Sequence, residues 1–373
     1  MRTQQDRKAT VDVHHLAFPA RVVRGAGAIN QLGALCAVLG RRAMVIGGRR
    51  ALASIEQAVF SQLVTAGVTL AAMQWYGGEC SETHINRLGL EAKAEGIDVI
   101  IGAGGGKAID TAKAVGASLG VPVVTLPTIA ATCAAVTPLT IRYFDDGHFR
   151  DLFPLPQAPA AVVIDTQLLA LSPLRWLAAG LGDTLAKWYE YRSIAHPAGL
   201  NGLSASASAN SRICYDLILH YGEAACGALT EGKPTPALEQ VADAIFIFAG
   251  LTSIMGSGAH ASAAHAIYEG FTVNDKTRHF GHGLLVGYGN LCLLALERRG
   301  DEELLAAVRL AKACAVPTSL AEICDDLTST ELDAICRSSV EAPDMANMPH
   351  TVSADDVLSA MIRVDAFAAM ARR

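Results

Sequence analysis

The stretch Val99-Ile100-Ile101-Gly102-Ala103-Gly104-Gly105-Gly106-Lys107-Ala108-Ile109-Asp110-Thr111-Ala112-Lys113 decides how the chain is read. An apolar, β-branched run stops at a cluster of glycines, and a helical pattern starts at once. This order predicts a strand, a tight turn and a helix N-terminus. Successive glycines let backbone approach a ligand closely, and the helix end offers free N–H groups and partial positive charge. Phosphate or pyrophosphate is the ligand such a turn suits. A plain glycine turn in an α/β domain would show the same letters. The dinucleotide fingerprint asks for a third glycine where Lys107 stands, and the P-loop asks for Ser or Thr where Ala108 stands. Gly104, Gly105, Gly106 and Lys107 are therefore candidates for a phosphate site of another type.

Outward from this turn, strand and helix patterns alternate through the first 170 or so residues. Apolar runs at Arg21–Arg24, Ala43–Ile46, Leu70–Trp75, Val99–Ile101, Val121–Leu126 and Ala161–Ile164 predict strands. Helical patterns between them imply a parallel sheet covered on both faces. Leu139–Phe144, Asp145-Asp146-Gly147 and His148–Phe153 read as an inserted β-hairpin. From Pro173 onward long helical patterns take over, at Leu174–Ser193, Leu203–Ala225, Pro236–Met255 and Leu304–Ala315, and no strand is expected after Asp165. The expected architecture is an α/β domain over 1–172, with a parallel Rossmann-like sheet, followed by an all-helical domain over 173–373.

Composition narrows the function classes. Of 373 residues, 51% are hydrophobic and 18% charged, so much surface must be buried, some of it in subunit contacts; a homo-oligomer is expected. A net charge of -6 gives no electrostatic case for nucleic acid or an anionic membrane. Nine cysteines with no C-x-x-C pair fit a reducing cytosol, and the charged start Met1–Lys8 leads into no apolar signal core. No uninterrupted apolar run is long enough to span a bilayer. A cytoplasmic enzyme acting on a small molecule is the expectation.

Charged groups are scarce in the apolar helical half, which makes the exceptions informative. Asp183, in Gly180-Leu181-Gly182-Asp183-Thr184, reads either as a helix N-cap or as a metal ligand. His265, among Ala263, Ala264 and Ala266, reads as a hydrogen-bonded core residue or a ligand. His282 is flanked by Gly281 and Gly283, which let backbone bend around an imidazole. One carboxylate and two imidazoles together form a plausible divalent-metal set, and zinc with an open position suits it.

These residues also carry a family resemblance. The chain resembles the glycerol dehydrogenase branch of the iron-containing (group III) alcohol dehydrogenases over most of its length. The resemblance rests on Gly102–Lys113, Pro127-Thr128-Ile129-Ala130-Ala131-Thr132, Gly180–Asp183, Ala263-Ala264-His265-Ala266 and His282-Gly283. Pro127–Ala135, Gly182–Glu190 and Cys80-Ser81-Glu82 are similar to the hydroxycarboxylate dehydrogenase A offshoot, whose members reduce 2-oxo acids with a nicotinamide cofactor. The resemblance implies the dehydroquinate synthase-like fold of that family. It places Gly106 and Lys107 on the pyrophosphate, and Thr128, Thr137, Leu139 and Tyr143 along the nicotinamide and ribose. It makes Asp183, His265 and His282 the zinc ligands, with His265 also beside the substrate. A non-redox lyase or cyclase of the dehydroquinate synthase group would share the glycine turn and metal domain.

Three departures from the family pattern shape the functional expectation. Where NAD-preferring members carry an acidic residue on the adenosine ribose, this chain has Gly48, followed by Arg49 and Arg50. Two guanidiniums without a carboxylate suit a 2′-phosphate, so NADP(H) is expected over NAD(H); a solvated basic turn is the alternative. Where glycerol dehydrogenases place an aspartate against glycerol, Cys133 stands, which brings no charge to an anionic substrate. Where iron-type members have a histidine ligand one turn after the aspartate, Lys187 stands. Positions i and i+4 share a helix face, so Lys187 is expected to pair with a substrate carboxylate, or else with a neighbour such as Glu190. For proton delivery the candidates are His279 and His260.

Overall fold

A computed structural model describes residues 15–194, 202–256 and 261–371. Six strands form one sheet: β1 (Arg21–Gly25), β2 (Arg42–Gly47), β3 (Thr69–Trp75), β4 (Val99–Gly104), β5 (Val123–Pro127) and, after a hairpin, β8 (Ala161–Asp165). Their order is β1-β8-β5-β4-β2-β3, and every pair is parallel. The expected hairpin is β6 (Leu139–Tyr143) paired antiparallel with β7 (Phe149–Pro154). The helices of this half are α1 (Leu32–Ala37), α2 (Arg49–Thr65), α3 (Glu82–Ala94), α4 (Gly106–Leu119) and α5 (Thr166–Ala170).

The two-residue side-chain period of the strands divides the core. Val45, Ile101 and Ala103 pack with Ile55, Val59 and Leu63 of α2. Met44, Ile46 and Ile100, pointing the other way, pack with Ile85, Leu88, Ala112 and Val115 of α3 and α4. On β8, Val163 joins the first cluster while Val162 and Ile164 face the helical half. Parallel strands buried on both faces explain the nearly continuous apolar runs that marked them in the sequence.

The helical half begins with α6 (Leu174–Ser193) and α7 (Gly202–Glu231). It continues through α8 (Pro236–Ala242), α9 (Ala249–Met255), α10 (Ala263–Phe271) and α11 (His282–Leu296), and ends with α12 (Asp301–Ala313), α13 (Leu320–Ile323), α14 (Ser329–Glu341) and α15 (Ala354–Met370). Among the described residues no strand follows Asp165. The single helix expected over Pro236–Met255 is instead interrupted by a π-helical turn, Asp243–Phe248, between α8 and α9. By length and composition that 20-residue stretch passes as long and apolar enough to cross a membrane, although Glu239, Gln240 and Asp243 interrupt it. Half of its most apolar window is buried, and its Leu238, Val241, Ile245 and Phe246 lie in the helical core.

Helices α6 and α11 touch backbone to backbone. A Cβ on Gly182 would sit 2.3 Å from the Gly283 carbonyl oxygen, and one on Gly283 would sit 2.1 Å from that of Ala179. This approach, which only glycine permits, sets the separation between Asp183 and His282. Gly182→Ala is expected to overpack the crossing and cost about 1–3 kcal/mol. Thermal unfolding checks this, and a midpoint equal to that of the wild type would contradict it.

Candidate active site

Asp183 lies within α6, well past its N-cap Pro173, so the N-cap reading is corrected. His265 sits in the first turn of α10 and His282 opens α11 after Gly281. The three converge. The Nε2 atoms of His265 and His282 are each 3.6 Å from Oδ1 of Asp183, and the three ligand atoms lie within 4.8 Å of one another. Among the described residues this is the one cluster of three such groups that could hold a metal. Two imidazole nitrogens and one carboxylate oxygen fit a divalent ion such as zinc with a position left for substrate.

Neighbours hold each of the three side chains. The His282 ring stands edge-on to Tyr268, with centroids 4.3 Å apart. Glu190, fully buried on α6, accepts from Nδ1 of His265 at 2.6 Å. A histidine that holds a metal commonly donates its other ring N–H to such a carboxylate. Burial works against charge on both groups. Even so, the Glu190 carboxylate lifts His265 to about 10, and the histidine in turn holds Glu190 below the usual carboxylate range. Asp183 is opposed by burial too, yet Lys187 and the two histidines keep its carboxyl well below its ordinary value.

Lys187 is buried one turn beyond Asp183. Among the described residues its ammonium makes no hydrogen bond and no ion pair within 4 Å; Glu190 pairs closely with His265 instead, and Asp183 is the carboxylate that acts most strongly on Lys187. Burial lowers its pKa, but the Asp183 carboxylate outweighs that and holds it above the ordinary lysine value. Cys133 faces the same region, with Sγ 3.9 Å from Oγ of Ser253 on α9. Burial pushes its thiol up, with Lys187 pulling the other way, so the thiolate is disfavoured.

The remaining candidates gather at the C-terminal edge of the sheet. Gly48 caps α2 where β2 ends; a Cβ on Gly104, where β4 ends, would lie 3.5 Å from the Gly48 nitrogen. Gly105 caps α4, Gly106 opens it, and the Thr128 N–H donates to the Gly104 carbonyl at 3.1 Å. Arg49 and Arg50 are exposed at the start of α2, with the Arg49 guanidinium 4.0 Å above the Trp75 ring. The Lys107 ammonium stands 4.5 Å over the Tyr143 ring, which brings the turn and the hairpin together. His279 is exposed on the segment before α11, and His260 lies outside the described residues.

Two acidic groups, Glu79 and Asp110, have roles that the sequence did not reveal. Glu79 binds Lys107 Nζ at 2.6 Å, so the lysine of the glycine turn already has an anionic partner. Asp110 and Lys113 form a buried ion pair on α4 at 2.8 Å. From there Lys113 donates to the carbonyls of Ala134, Thr137 and Leu139, while Asp110 accepts from the Ile141 N–H. This pair pins the segment that carries Cys133, Thr137, Leu139 and Tyr143. Two opposite charges three residues apart, among the small and apolar residues of α4, were its visible signal. Glu190 had been placed beside Lys187 rather than His265.

Comparison with known proteins agrees with this geometry. The family model "Iron-containing alcohol dehydrogenase" matches residues 19–166. Glycerol dehydrogenase of Pseudomonas putida is 35% identical over 355 residues, covering 93% of this chain and 96% of that protein. Hydroxycarboxylate dehydrogenase A of Escherichia coli K12 is 34% identical over 334 residues, covering 88% and 90%. Among solved structures, a probable glycerol dehydrogenase from Sinorhizobium meliloti superposes with a TM-score of 0.82 at 31% identity, covering 96% and 99%. With the parallel sheet, the helical half and a three-residue metal-type cluster in place, the chain belongs to the iron-containing alcohol dehydrogenase family, among its glycerol dehydrogenase-like members.

Proposed function

We propose that this chain is a metal-dependent oxidoreductase that interconverts a 2-oxo acid and the corresponding 2-hydroxy acid, with NADPH preferred over NADH. The observation that carries the reading is Lys187, a buried ammonium that makes no hydrogen bond among the described residues and lies one turn from Asp183. A buried ammonium costs on the order of several kcal/mol unless compensated; Asp183 supplies one compensating carboxylate, and a substrate carboxylate would supply a second. Cys133, beside it, adds no opposing charge.

Bound nicotinamide supplies or accepts the hydride. A divalent metal held by Asp183, His265 and His282, zinc by its donor set, supplies Lewis-acid polarisation worth about several kcal/mol. The chain's own groups do the rest. Gly104, Gly105 and Gly106 present backbone N–H groups to the pyrophosphate, with Lys107 shared between that anion and Glu79. Thr128, Thr137, Leu139 and Tyr143 line the nicotinamide end. Lys187 orients the substrate carboxylate, and His265 borders the same pocket. In this division of labour residues 1–172 take the dinucleotide and 173–373 the metal and substrate. A cytoplasmic homo-oligomer is the proposed setting, supported by nine free cysteines and by exposed apolar side chains such as Phe60, Val64 and Leu90.

Glycerol or a simple aldehyde is a second reading, favoured by the glycerol dehydrogenases among the relatives. NADPH absorbance followed against 2-oxo acids, aldehydes and dihydroxyacetone, with and without added zinc, separates the two. Higher kcat/KM for the 2-oxo acids supports the proposal, and higher kcat/KM for dihydroxyacetone overturns it.

Cofactor preference has its own test. Charge-assisted hydrogen bonds contribute about 1.5–3 kcal/mol each, so replacing both Arg49 and Arg50 by alanine is expected to lower kcat/KM for NADPH by tenfold or more, on the order of 1.4 kcal/mol per decade. NADH kinetics are expected to change little. Wild-type enzyme using NADH at least as efficiently as NADPH would sink the preference.

A further inference from the structure

We infer that Glu190 is a positioning residue that selects which nitrogen of His265 faces the metal site, an inference that rests on reading Asp183, His265 and His282 as metal ligands. Asp183, Lys187 and Glu190 are spaced i, i+4 and i+7 on α6, so the three share one face. The Glu190 carboxylate is fully buried, and its two oxygens have separate tasks. Oε1 accepts from the backbone N–H groups of Ser262 at 2.7 Å and His265 at 3.0 Å, closing the first turn of α10. The N-cap Ser262 makes no side-chain cap bond of its own, so this carboxylate takes that place. Oε2 accepts from Nδ1 of His265 at 2.6 Å. A proton held on Nδ1 leaves Nε2 as the ligand nitrogen, and Nε2 is the one 3.6 Å from Asp183 Oδ1.

Glutamine separates the two tasks. Its amide oxygen, in the place of Oε1, still accepts both backbone N–H groups. Its amide nitrogen, in the place of Oε2, can only donate. A donor facing Nδ1 asks that nitrogen to be the acceptor and puts the ring proton on Nε2, where it opposes ligation. Glu190→Gln therefore keeps the cap of α10 and removes the selection of the ligand nitrogen.

Chelator competition on the full-length protein checks this, with zinc as the probe and activity playing no part in the readout. Glu190→Gln is expected to raise the zinc Kd by about 10–100-fold, with circular dichroism and thermal midpoint of the metal-free protein close to wild type. In zinc-loaded wild-type protein, nitrogen NMR of the histidines is expected to show His265 protonated at Nδ1 and coordinating through Nε2. This second measurement needs no variant, so it stands even if the glutamine protein fails to fold. A zinc Kd within twofold of wild type, or coordination of His265 through Nδ1, overturns the inference. Wild-type protein that takes up no zinc overturns the metal reading beneath it instead.

Discussion

Asp183→Asn is expected to lower kcat/KM by about a thousandfold, with metal content of the purified protein falling in parallel. The estimate follows from Lewis-acid stabilisation worth several kcal/mol at about 1.36 kcal/mol per decade of rate. Asparagine keeps the side chain's shape but removes the anionic oxygen that stands 3.6 Å from both histidine Nε2 atoms. It also removes the charge that offsets the burial of Lys187. Chelation of the wild type is expected to give a similar loss, restored by added zinc. Steady-state kinetics with metal analysis on the same samples check both. Retention of more than about a tenth of wild-type activity in metal-free Asp183→Asn protein would contradict the assignment, since even one decade is about 1.4 kcal/mol.

Lys187→Ala is expected to separate substrates by charge. If the ammonium binds a carboxylate, its loss removes a charge-assisted hydrogen bond worth about 1.5–3 kcal/mol. KM for 2-oxo acids then rises by about 10–100-fold, at about 1.4 kcal/mol per decade, while uncharged aldehydes show a much smaller change. The side chain is buried and makes no hydrogen bond among the described residues, while Asp183 acts on it through charge; a purely structural role beside Asp183 would change both substrate classes alike. Parallel comparison of KM and kcat for the two substrate classes decides it. Equal changes for both classes would remove Lys187 from substrate recognition.

Much of the scaffold was legible because its physics is local. Strands buried on both faces read as apolar β-branched runs, and the turn after β4 announced itself through Gly104, Gly105 and Gly106. The hairpin was visible through Asp145-Asp146-Gly147. Long-range pairings were harder. Asp183 resembles an N-cap residue in its immediate letters, although the helical pattern over Leu174–Ser193 runs through it; what the letters do not show is its approach to His282 across the Gly182–Gly283 contact. Glu190 lies 75 positions from His265, and nothing in the letters distinguishes that partner from Lys187 three residues away. The Glu79–Lys107 pair likewise bridges 28 positions, from the loop after β3 to the first turn of α4. The π-turn at Asp243–Phe248 left no mark on the apolar pattern; Ala244, Ile245 and Phe246 are buried in it.

The most direct test of the reaction is isotopic. Wild-type, zinc-loaded enzyme is incubated with a 2-oxo acid and NADPH deuterated at C4 of the nicotinamide, and the hydroxy acid is examined by mass spectrometry and proton NMR. The expected result is one deuterium at C2 for each NADPH oxidised on the transferred face. Substrate consumed without NADPH oxidation, or product without deuterium at C2 from either C4-labelled isomer, would contradict hydride transfer at this site.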